Sequence, residues 1–184
     1  MLSRPDRALL GATVALVAMC LAGPARSSSL RFGPYDFTSV FSISKSENRN
    51  EVVFGIHLDA QCVPVGDAPV FPYWRMNEKG PTVIEPLLGL EERAYGIERQ
   101  RVLPSAGAGG KVEVVLRAMP SRPVVVATAP GTGKCEALAT LPISGETGFL
   151  YNVYVKLSGI HVDYLLLSGW AEDRQRVLHE RLAR

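Results

Sequence analysis

Leu150-Tyr-Asn-Val-Tyr-Val-Lys-Leu157 and Val162-Asp-Tyr-Leu-Leu-Leu167, either side of Ser158-Gly159, are the strongest strand signals in the chain. Two runs rich in Val, Tyr and Leu around a short glycine-containing turn predict a β-hairpin. A second hairpin is expected upstream. There Phe41 and Ile43 alternate with serines, residues 46–50 have turn composition, and Val52, Phe54, Ile56 and Leu58 alternate in turn. Such alternation places one face of each strand in a core and leaves the other wet.

Further strands are expected over 70–76, 97–103, 112–116, 123–127 and 138–143, separated by Gly- and Pro-containing turns. That makes seven to nine short strands. The fold class read from them is mainly β, an antiparallel barrel or sandwich. One internal helix is expected over 86–95. Pro86 would take the first helical position and Gly96 would lie just past the end. Leu87, Leu90 and Ala94 would form its buried stripe, with Leu88 and Tyr95 beside it. From residue 171 the chain is charged and proline-free, with Val177, Leu178 and Leu182 on one side. This reads as a C-terminal helix.

The N-terminus reads as a targeting segment. Arg4 and Arg7 precede an uncharged run over 8–22, and small residues follow at 23–28. This is the pattern of a secretory signal peptide cleaved near 25–28; an uncleaved anchor is the other reading. The run of about 15 residues is short for a bilayer span, so no transmembrane span is expected after cleavage. The division expected is signal peptide over 1–27, flexible entry over 28–36, β-rich domain over 37–170 and helical tail over 171–184. The location implied is secreted or periplasmic.

Removing residues 1–27 takes away Arg4, Arg7, Arg26 and Asp6. Of 20 basic and 18 acidic side chains, 17 of each remain. A chain of balanced charge lacks the basic footprint of a nucleic-acid binder. Cys20 also leaves, so Cys62 and Cys135 remain. An even pair in an exported protein suggests one disulfide; the alternative is two separately buried thiols.

Several short patterns resemble chemistry. Ala129-Pro-Gly-Thr-Gly-Lys-Cys135 mimics a phosphate-binding loop. It lacks the first glycine, where Thr128 stands, and the hydroxyl residue after the lysine, where Cys135 stands. It reads as a surface turn. Ser42-Ile-Ser-Lys45 has Ser-x-x-Lys spacing, which works on a helix; in a strand the two side chains face apart. His57-Leu-Asp59 and His161-Val-Asp163 each put an imidazole and a carboxylate on one strand face. If those strands were neighbours, the four groups would suit zinc or another transition metal; solvated strand ends are the plainer reading. Tyr73, Trp74, Arg75, Arg93 and Tyr95 are the candidate ligand-binding residues, since aromatics with arginine suit a planar, anionic or sugar-like ligand.

The central stretch resembles the bacterial family known as domain of unknown function 4833. The residues that carry the likeness are Tyr73-Trp74, Gly80, Glu85-Pro86-Leu87, Ala94-Tyr95-Gly96-Ile97 and the run from Tyr164 to Gly169. The resemblance implies one exported or envelope-associated β-rich domain. It implies no reaction and transfers no catalytic residue.

The leading functional expectation is a non-enzymatic module that binds a small molecule or an envelope component, without a cofactor. The alternatives are a metal-dependent or hydrolytic enzyme using His57/Asp59 and His161/Asp163, and a structural protein with no small-molecule site.

Overall fold

The computed structural model describes residues 37–80, 83–159 and 161–183. The expected signal peptide and flexible entry lie outside them. The described chain forms eleven strands and one helix. The first strands are β1 (Phe37–Lys45), β2 (Glu51–His57), β3 (Val70–Arg75) and β4 (Ile84–Pro86). Helix α1 (Gly89–Tyr95) follows, then β5 (Ile97–Leu103), β6 (Gly110–Leu116), β7 (Val124–Pro130) and β8 (Cys135–Ile143). The last three are β9 (Glu146–Ser158), β10 (His161–Ala171) and β11 (Val177–Ala183).

Strand β9 is the branch point. It is 13 residues long, and from Gly148 to Ser158 it pairs with β10 along one edge. The other edge is divided. Its first part, Glu146 to Leu150, pairs antiparallel with β8; the second, Asn152 to Val155, pairs parallel with β1. The sheet thus runs β4-β3-β2-β1-β9-β8-β7-β6-β5, with β10 and β11 off that path. Every other strand pairing is antiparallel.

The two wings, β1–β4 and β5–β8, bury their inner faces in one core. Phe41, Val52, Phe54 and Ile56 come from one wing; Val112, Val114, Val124 and Val126 come from the other. Phe41 and Phe54 are register partners and stack at 4.5 Å. The sheet does not close into a barrel by strand pairing. At the gap between β3 and β5, Gln100 accepts a hydrogen bond from the Val70 N–H and donates one to its C=O (3.0 and 2.9 Å). A side-chain amide thus satisfies both backbone groups of Val70, which a missing strand would otherwise leave open.

A disulfide fastens the wings at one end, joining Cys62, in the loop after β2, to Cys135 at the start of β8. Beside it Thr128 is buried. Its Oγ1 donates to the Cys62 carbonyl at 2.7 Å and accepts from the Gly110 N–H at 2.8 Å. Gly110 has to be glycine here, because a Cβ would lie 2.3 Å from Pro64. Asp59 shapes the same loop by accepting from the N–H groups of Gln61 and Val63.

Three expectations are corrected. Among the described residues there are eleven strands, not seven to nine. The internal helix starts at Gly89, not Pro86: Pro86 ends the edge strand β4, where a missing N–H is tolerated. Leu87, ahead of the helix, is its buried anchor, while Leu90 is 77% exposed and forms no stripe. The largest correction is the tail, because residues 177–183 form strand β11, not a helix. Strand β10 would otherwise present an open edge, and β11 fills it from Tyr164↔Ala183 to Trp170↔Val177. Helix propensity is a weak prior against a ladder of that length. The link between β10 and β11 is a turn in which the Asp173 carboxylate accepts from the Gln175 N–H and Arg174 adopts φ +55°.

Glu180 anchors β11. It accepts from Arg122 and from the Ser144 N–H, both at 2.7 Å. The Arg122 hydrogen bond leads in holding its carboxyl below the usual range, against the opposing effect of burial; the Ser144 N–H adds to the lowering. A depressed carboxylate pKa stabilises the fold above the unfolded-state value and loses that contribution as pH falls. Glu180→Gln should therefore cost about 1–2 kcal/mol near neutrality. In urea titrations the gap from wild type should narrow as pH drops below about 4.5; an unchanged gap at low pH contradicts the assignment. Separately, Cys62→Ser with Cys135→Ser should lower stability by on the order of 4 kcal/mol, since the bridge closes a long loop. A thermal melt that does not move would show that the bridge contributes little.

Candidate functional site

Strand geometry separates the aromatic trio of β3. Neighbouring residues of a strand point to opposite faces. Tyr73 is buried in a small cluster with Val53 and Phe71, against Phe37 and Ile84, and its hydroxyl lies 3.0 Å from Ser39 Oγ. Arg75, two residues on, is paired with Glu51 at 3.3 Å. Trp74 faces the other way, onto the main core, with Lys45 Nζ 5.2 Å from its ring centre. Tyr73, Trp74 and Arg75 therefore do not share a wall.

Arg93 and Tyr95 do come together, in a cleft at the end of α1. It has a volume of about 180 Å³ and is lined by Arg93, Ala94, Tyr95, Arg117, Ala118, Val155, Val162 and Leu165. Larger hollows lie elsewhere. One of about 550 Å³ beside Gln100 is lined by Arg99, Arg101 and Glu113, but those arginines already have carboxylate partners. The cleft differs: neither Arg93 nor Arg117 has an ion-pair partner among the described residues.

Its construction is local. Gly96 ends α1 by donating its N–H to the Glu92 carbonyl at 2.9 Å. The chain turns directly into β5, whose first residue, Ile97, is the register partner of Leu116 at the end of β6. The next N–H, of Arg117, donates to the Gly96 carbonyl at 3.0 Å, which fixes Arg117 beside the helix end. The floor comes from β9 and β10, where Val155 and Leu165 are register partners. Tyr95 is half-buried, and its phenol pKa is raised first by burial, then by Glu47 and Glu91. Those carboxylates repel an anion, so the two guanidinium groups would carry its charge. Two guanidiniums without an ion-pair partner among the described residues, over an apolar floor, suit a ligand with an anionic group and an apolar body.

Arg117 is the residue that the sequence reading did not select. Its signal was the hairpin over 97–116, since pairing Ile97 with Leu116 sets Arg117 beside Gly96.

The two His/Asp pairs lie apart. His57 is opposite Phe37, at the start of β1, whereas His161 pairs with Ser158, beyond the Lys45 end of β1. The whole of β1 separates them, and the described residues contain no group of three or more metal-ligating side chains. His57 stacks on Phe71 at 4.3 Å, and burial lowers its pKa. Asp59 holds the disulfide loop, as above. Asp163 falls in a register shift of β10, outside the ladder.

The loop that mimics a phosphate-binding motif is the turn between β7 and β8, with Cys135 in the disulfide. Ser42 accepts from Asn152 at 3.0 Å and is not paired with Lys45. Ser168 and His179 lie 3.0 Å apart across β10 and β11. No carboxylate is bonded to that histidine among the described residues, so the contact is a cross-strand hydrogen bond and not a catalytic triad.

The family model described as "Domain of unknown function (DUF4833)" matches residues 41–181, from within β1 to within β11. The chain belongs to that family. No curated protein and no solved structure matches it.

Proposed function

We propose that this member of the domain of unknown function 4833 family is an exported, non-enzymatic module that binds a small anionic ligand with an apolar body. The site is the cleft of Arg93, Tyr95 and Arg117. The observation that carries this reading is that two arginines without an ion-pair partner among the described residues line one cleft with Ala118, Val155, Val162 and Leu165. Arginine forks hold carboxylate or phosphate well, and the apolar floor rewards a hydrocarbon body. Tyr95 supplies a hydroxyl for orientation. Tyr73 and Arg75 lie on the opposite face of β3 from the core beneath the cleft, and Trp74, which packs on that core, is not one of the cleft's lining residues.

Export is supported by the charge and hydropathy pattern of residues 1–28. The Cys62–Cys135 bridge suits an oxidising compartment. No helix among the described residues is long and apolar enough to cross a membrane.

Calorimetric titration with octanoate and octyl phosphate, against octyl glucoside as a neutral control, tests the binding. The anionic probes should bind and the glucoside should not. Arg93→Ala and Arg117→Ala should each weaken binding about tenfold, ~1.4 kcal/mol, and added salt should weaken it further. Equal binding of charged and neutral probes, or no binding, would refute the reading. For export, the full chain expressed in a bacterium should be recovered outside the cytoplasm with its N-terminus near residues 25–28. An intact N-terminus on cytoplasmic protein would contradict it.

A further inference from the structure

We infer that the cleft is the head of a longer groove that accepts a single unbranched acyl chain, with its anionic end held by Arg93 and Arg117. This rests on the binding reading above and adds the class of ligand. A second hollow, of about 330 Å³, adjoins the cleft, and the two share Arg117, Ala118 and Leu165. Beyond those shared residues it runs past Met119 and Pro120 to Leu182 and Ala183 at the end of β11. The cleft alone is smaller than ordinary ligand pockets, which are roughly 300–1,000 Å³; a ligand spanning both hollows would occupy a site of that size.

The chemistry changes along this line. The two guanidinium groups and the Tyr95 hydroxyl are at the helix end. Past Arg117, Ser121 is the one residue lining the second hollow with a neutral hydroxyl, and the others are apolar. A sugar would meet too few hydrogen-bond partners there, whereas methylenes would meet apolar walls. The arrangement depends on β11, because Leu182 and Ala183 line the groove only when the tail is a strand on β10.

Titration with hexanoate, octanoate, decanoate and dodecanoate, each below its micelle concentration, tests the groove. Affinity should tighten about fourfold per added methylene. Ala183→Trp places a large ring at an exposed position lining the second hollow. It should remove the gain for decanoate and dodecanoate while hexanoate binds as before. Leu182→Asn should flatten the series in the same way. An affinity that stops rising at octanoate, or a gain that survives Ala183→Trp, would overturn the groove and leave the anionic cleft standing. Absence of binding at every chain length would overturn the cleft itself and the groove with it.

Discussion

The architecture depends on one strand edge being shared. A β-strand has two edges for hydrogen bonding. On β9 one edge is taken by β10 from Gly148 to Ser158, and the other is split between β8 and β1. The split ties both wings to one strand while letting each continue in its own direction. Their inner faces then meet in one core. The wings need further ties where they are not paired. Gln100 spans the gap at Val70, and the disulfide with Thr128 holds the end near Cys62. Away from β9, these ties and the shared core hold the two wings together in place of strand pairing.

The cleft is a consequence of that plan. Val155 belongs to the part of β9 that pairs with β1, and Leu165 lies across from it on β10. Arg117 arrives from the far wing, where β6 ends and its N–H meets the Gly96 carbonyl. The site therefore combines residues from both sides of the fork. Helix α1 has no buried residue of its own. Leu87 and the Gly96–Arg117 bond hold it at its two ends, and this sets Arg93 and Tyr95 at the rim.

Much of the fold was legible because strand side chains repeat every two residues. The alternations at Phe41/Ile43, at Val52/Phe54/Ile56 and at Val112/Val114/Leu116 each mark a buried face. Both expected hairpins form, β1 with β2 and β9 with β10. The tail was misread because Leu178 and Leu182 are four apart, which satisfies both a helical repeat and a two-residue repeat. The need of β10 for a partner settles the ambiguity, and that need is not local. Arg93 and Tyr95 were legible as site candidates because an aromatic beside an arginine suits a planar or anionic ligand. Trp74 and Arg75 were grouped with them by closeness in sequence, which in a strand places neighbours on opposite faces.

The sequence by itself determined the class of fold and most strand positions, since these follow from local periodicity and turn composition. Tertiary structure decided which strands share the edge of β9, that the tail is a strand, and that Arg117 joins Arg93 and Tyr95. Each of these depends on hydrogen bonds between residues far apart in the chain. Local preference is a fraction of a kilocalorie per residue, and a full ladder or a shared core outweighs it.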